Sequence, residues 1–159
     1  DPTTATDALV GQATDALDAL RELTRGIFPT MLARAGVAPA LTAHLARVGN
    51  PVRLAVDASA QGRRFAARTE AATYYAATAA VTAGARGTLH LSVDDRSLVL
   101  EVERAAPLRG EREAVRDRVE ALGGSLVESL GRMRVTVPTV EASPVPAPRE
   151  VDDSAPAVR

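Results

Sequence analysis

The spacing of apolar residues changes from a helical pattern to a two-residue alternation near residue 88. Before that point apolar side chains recur every three or four residues, which is typical of helices that pack through one face. After it, two alternating runs over residues 89–93 and 98–103 flank a turn and predict an antiparallel hairpin. The whole pattern predicts a long helix, a helix, a strand, a helix, two strands, a helix and two strands. This order indicates an α+β fold, a two-layer sandwich in which helices cover one face of a mixed sheet.

The first segment, residues 3–25, carries apolar residues at the spacing of a coiled-coil or bundle seam. At 1.5 Å per residue such a helix is about 35 Å long, more than a small domain needs to cover its own core. We therefore expect a dimerisation-type helix over residues 1–26, with a surface helix docked on its own domain as the alternative. The predicted dimer-interface residues are Leu9, Ala13, Ala16, Leu20 and Leu23.

Residues 27–138 are expected to form one domain, and residues 139–159 a disordered Pro/Ala-rich tail, because the tail lacks apolar periodicity. No apolar run approaches the roughly 20 residues that span a bilayer, so we expect a cytoplasmic segment without membrane contact. The chain has 19 Lys and Arg residues, all of them Arg, and no Cys. A phosphate-loop lysine, a thiolate nucleophile and a zinc ribbon are therefore excluded. Charges of both signs alternate over residues 109–120, a pattern that disfavours nucleic-acid binding.

Residues 68–83 are apolar nearly all round, which predicts a central buried helix. Of the adjacent Tyr74 and Tyr75, we expect one ring to fill the core and the other to fill a cleft beside this helix. The arginines just before it are expected to be solvated, and His44 and His90 to be structural or surface residues without a catalytic role.

Several motifs resemble sequences of bacterial sensor histidine kinases of the NarX/DesK type. Residues 20–29, LRELTRGIFP, are similar to the junction between the family's second dimerisation helix and its ATP-binding domain. Residues 117–126, DRVEALGGSL, are similar to the segment after its ATP lid, and residues 70–75, EAATYY, to the start of its metal-binding helix. The resemblance covers about residues 9–138. It implies the GHKL fold, in which ATP lies between the buried helix and a lid.

The family's nucleotide-binding residues are replaced in this chain. The resemblance places the helix glutamate and the magnesium-binding asparagine at Ala79 and Ala83, the adenine-reading aspartate at Arg104, and lid glycines at Arg109 and Glu111. Alanine offers magnesium no oxygen ligand, and Arg104 presents a donor where an acceptor is needed. The resemblance therefore implies a degenerate nucleotide site without a cofactor.

The function we expect is that of a non-catalytic regulatory or interaction module of a two-component-type signalling protein. It would form a homodimer through its first helix and contact a protein partner such as a response regulator or a kinase. One alternative is a divergent but active kinase domain that uses ATP and magnesium to phosphorylate a histidine upstream of Asp1. Another is an anti-sigma-factor-like domain that binds a protein partner.

Overall fold

The computed structural model describes residues 29–139. The predicted dimerisation helix (1–26) and residues 140–159 of the predicted tail lie outside the described residues. The described helices and strands follow the order expected from the sequence, with one additional short helix at the start. They are α1 (Thr30–Ala35), α2 (Val37–Val48), β1 (Arg53–Val56), α3 (Ala67–Thr82), β2 (Thr88–Asp94), β3 (Ser97–Val102), a 3-10 turn (Arg109–Glu111), α4 (Arg112–Glu120), β4 (Ser125–Ser129) and β5 (Arg132–Pro138).

The five strands form one mixed sheet in the order β1-β2-β3-β5-β4. Strand β1 is parallel to β2, and the remaining neighbours are antiparallel. Leu91, Leu100 and Val135 face one another across the three central strands and are buried. Because side chains alternate between the two faces of a strand, their neighbours His90, Glu101 and Arg134 lie on the opposite, exposed face. The prediction of a two-layer α+β sandwich with helices on one face is confirmed.

Helix α3 packs against the covered face of the sheet through small side chains. Ala76, Ala77 and Ala80 are fully buried, so the helix backbone approaches the sheet closely. The ring of Tyr74 fills the core and meets His44 edge to face, with 6.0 Å between ring centroids. The prediction that α3 is the central buried helix is confirmed.

Three polar residues at the start and middle of α3 are also buried. The hydroxyl of Thr69 donates a hydrogen bond to the carbonyl of Pro138 (2.8 Å), and the hydroxyl of Thr73 donates to the carbonyl of Thr69 (2.9 Å). The third is Glu70, which is described below. Each has a partner, which removes most of the penalty for burying a polar group.

Prolines lie at the starts of two helices. Pro29 occupies the N-cap position of α1, and no side chain caps that helix. Pro39 is the third residue of α2, which begins at Val37. Proline is tolerated at this place because the first-turn amides of a helix have no intrahelical acceptor. Between residues 29 and 139, no helix is long and apolar enough to cross a bilayer.

Candidate functional site

The candidate site is the part of α3 that the resemblance assigns to the nucleotide, together with the chain between β3 and α4. Ala79 lies on α3 and is 7% exposed, whereas Ala83 follows the last residue of the helix and is exposed. The backbone N–H of Ala83 donates to the carbonyl of Ala79 at 2.9 Å. The resemblance assigns these two positions to the family's helix glutamate and its magnesium-binding asparagine.

Tyr75 lies one helical turn before Ala79, and its ring is held between α3 and the following helix. Its hydroxyl donates a hydrogen bond to a carboxylate oxygen of Glu111 at 2.6 Å. The guanidinium of Arg118, on α4, stacks over the ring at 3.9 Å from the centroid, within the range of a cation–π contact. Glu111, one of the predicted degenerate positions, is thereby brought against the predicted nucleotide face of α3. Tyr75, Glu111 and Arg118 are called the Tyr75 cluster below.

The surroundings of Tyr75 favour its neutral form. Burial raises the pKa of the Tyr75 phenol above its ordinary value of 10.0, and the hydrogen bond to Glu111 raises this pKa further. The positive charge of Arg118 lowers the pKa, but its effect is smaller. At neutral pH the ring is therefore an uncharged, partly buried group between the two helices, and its O–H bond is directed at the carboxylate.

Arg104 and Arg109 lie on the chain between β3 and α4. Both are exposed and have positive φ angles, 51° and 34°, which are uncommon for residues other than glycine. The carbonyl of Arg104 accepts a hydrogen bond from the N–H of Arg86 (3.2 Å), which ties this turn to the loop after α3. An arginine side chain carries only donors, so neither residue provides an acceptor for an adenine amino group.

At the two positions that the resemblance assigns to the helix glutamate and the magnesium-binding asparagine, the residues present offer magnesium no ligand. Magnesium requires oxygen ligands in near-octahedral geometry, and alanine side chains supply none. Within residues 29–139, no group of three or more His, Asp or Glu side chains is placed to hold a metal ion.

A second polar cluster lies at the start of α3, and the sequence reasoning missed it. The carboxylate of Glu70 is 1% exposed and accepts hydrogen bonds from Arg64 Nε (3.0 Å), Arg64 Nη2 (3.2 Å) and the N–H of Phe65 (3.0 Å). Arg64 also donates to the carbonyls of Ala33 and Arg34 at the end of α1. Arg64 therefore joins α1 to α3, contrary to the expectation of a solvated side chain. The buried Glu70 could have been suspected from a lone acid on an otherwise apolar helix face.

No protein-family model and no curated protein matches this chain. Among solved structures, the chain is similar to the Acinetobacter baumannii histidine kinase AdeS, with 15% identity over 84% of this chain and 83% of that chain and a TM-score of 0.44. The fold class follows from the strand order, register and packing of residues 29–139.

Proposed function

We propose that this chain is a non-catalytic, histidine-kinase-like module that regulates or contacts other proteins in a bacterial two-component-type system. The sequence motifs that resemble this family, and the α+β sandwich on which residues 70–75 and 117–126 lie, support the assignment. The observation that carries the non-catalytic part is the Tyr75 cluster. It lies against α3 one turn from Ala79, so the chain's own side chains cover the face that a nucleotide would need.

A nucleotide would have to displace the Tyr75 cluster before it could reach α3. It would break the hydrogen bond between Tyr75 and Glu111 and the contact with Arg118, and it would bring phosphates toward the Glu111 carboxylate. Arg104, Arg109 and Arg118 can still attract polyphosphate by charge. Such binding would be weak and screened by salt, and its affinity would not depend on the identity of the nucleotide base.

Calorimetry of the full chain with magnesium ATP tests the non-catalytic part. We expect no saturable heat, and no more stabilisation by ATP than by magnesium tripolyphosphate. A specific ligand present at about 100 times its Kd would add about 2.7 kcal/mol to the free energy of unfolding, which a melting curve detects. The proposal would be overturned by a micromolar Kd for ATP, with weaker binding of tripolyphosphate, if Ala83→Leu abolished the ATP binding. Ala83 is exposed, so the fold should tolerate this substitution.

The partners of the module are also proposals. The resemblance favours a homodimer formed through the first helix and a response regulator or kinase as partner. An active kinase would transfer labelled phosphate from ATP to a histidine of the longer chain. An anti-sigma-like binder is favoured if the chain is a monomer in solution.

A further inference from the structure

The tip of the hairpin between β4 and β5 carries an unusual residue. Leu130 and Gly131 form the turn with φ angles of 46° and 74°. Two-residue turns with positive φ at both positions favour Asn-Gly or Asp-Gly, because a branched apolar residue is strained there. The Leu130 side chain is also fully exposed. Neither backbone conformation nor burial explains a leucine at this position.

Leu130 borders a groove of about 350 Å³ between this hairpin and the loop after β3. The loop is fixed against the hairpin, since the N–H of Ala105 donates to the carbonyl of Gly131 at 2.6 Å. The N–H of Leu108 also points to the Glu128 carboxylate at 3.4 Å. The apolar lining of the groove consists of Ala105, Ala106, Pro107 and Leu130.

Basic residues line the groove and flank the loop beside it. Arg112 pairs with Glu128 at 2.7 Å and is neutralised. Arg132 lines the groove, and Arg104 and Arg109 flank the loop; all three are exposed and make no ion pair with another residue between 29 and 139. An apolar strip beside these arginines fits a short segment that carries an aliphatic side chain between carboxylates.

We propose that the C-terminal segment of this chain, Glu150-Val151-Asp152-Asp153, docks in this groove. Val151 packs against the apolar strip, and the three carboxylates lie beside the unpaired arginines. This segment matches the groove in both polarity and charge. Docking would cover the groove and keep other acidic segments from it.

The length of the chain permits this contact. Strand β5 begins at Arg132, beside the groove, and ends at Pro138 about 20 Å away, at about 3.4 Å per residue. Residues 140–149 can span about 33 Å when extended, which is enough to return along the sheet.

A spin label tests the proposal, because the chain contains no Cys and a single Ser154→Cys site can be labelled in the full chain. We expect the nitroxide to broaden the amide resonances of Ala105, Ala106, Leu130 and Gly131. A freely moving segment would instead broaden resonances near its origin at Thr139, whose N–H donates to the Arg96 carbonyl at 2.7 Å. That origin lies at the opposite end of β5.

Matched variants distinguish the charge of residues 150–153 from the net charge of the whole chain. Asp152→Asn with Asp153→Asn should abolish the broadening at the groove, whereas Asp94→Asn with Asp95→Asn removes the same charge elsewhere and should leave it unchanged. Leu130→Asn should weaken the broadening while keeping the turn, because Asn tolerates positive φ.

Two outcomes would overturn the proposal. One is broadening confined to the surroundings of Thr139. The other is groove broadening that appears when spin-labelled chain is mixed with isotope-labelled chain lacking the nitroxide, since the occupant would then be a second copy.

Discussion

At position 124, a side chain would collide with the backbone of the neighbouring strand. A Cβ atom built on Gly124 would overlap the carbonyl oxygen of Thr136 and lie 2.9 Å from Val119 Cγ1. The adjacent Gly123 has a φ of 77°, which favours glycine. Both residues belong to the 117–126 motif. Packing therefore requires glycine at position 124 and the backbone conformation favours it at position 123, with or without a nucleotide.

We expect Gly124→Ala to lower the free energy of unfolding by about 3 kcal/mol, because the contact at Thr136 is with rigid backbone. Urea unfolding monitored by circular dichroism measures the change. Gly110→Ala is the matched control, since no atom lies within 4 Å of the added Cβ. Its effect should stay within about 0.5 kcal/mol. Equal effects of the two substitutions would refute the packing role.

The side-chain contacts of single residues were the least predictable part of the structure. Alternation and helical spacing place Leu91 and Ala77 in the core from sequence alone. The pairing of Arg64 with Glu70 is different, because it requires the end of α1 to lie beside the start of α3, some 30 residues along the chain. No local pattern encodes that contact.

At the scale of elements, the Tyr75 cluster joins α3, the 3-10 turn and α4. It also makes stability depend on pH at the alkaline end. Folding raises the pKa of Tyr75, so the unfolded chain releases the phenol proton at a lower pH than the folded chain. The contribution of Tyr75 to stability is therefore complete below about pH 10 and is lost as pH rises through the raised pKa.

Tyr75→Phe should remove the decrease in stability that ionisation of Tyr75 causes at alkaline pH. The same variant measures the contribution of the hydrogen bond to Glu111. At pH 7 we expect the variant to be about 1 kcal/mol less stable, because it keeps the ring beneath Arg118 but lacks the hydroxyl. The difference from the parent should shrink as pH rises above 10. Urea unfolding of both proteins at pH 7 and pH 10.5 measures it. A difference that is constant with pH would contradict the assigned environment of Tyr75.

The elements themselves were largely predictable, and their ends less so. The two-residue alternation predicted the hairpin of β2 and β3, which the structure contains. The sequence also suggested that one of the two tyrosines fills a cleft. It did not indicate Arg118 as the residue that covers it, because that contact depends on how α4 packs against α3.

At the scale of the whole molecule, the number of chains that assemble is the prediction that depends on residues 1–26. The described residues already form a packed core beneath the sheet, with Leu41, Leu100 and Val135 fully buried. The seam residues Leu9, Ala13, Ala16, Leu20 and Leu23 lie outside the described residues and remain a prediction. Their two readings, a dimer contact and a surface helix docked on its own domain, differ in a measurable way.

Leu20→Asp separates these readings when sedimentation and urea unfolding are measured on the same full chain. In a dimer seam, an added carboxylate in an apolar contact weakens association by about 3 kcal/mol, or more than 100-fold in Kd. The parent should then sediment at twice the chain mass and the variant at the chain mass. In a docked helix, the substitution would instead lower the stability of a monomer without changing its mass. Gln12→Asp is the matched control, because it adds the same charge on the opposite side of the predicted helix and should alter neither the sedimented mass nor the stability. A parent chain that sediments as a monomer would refute the dimer.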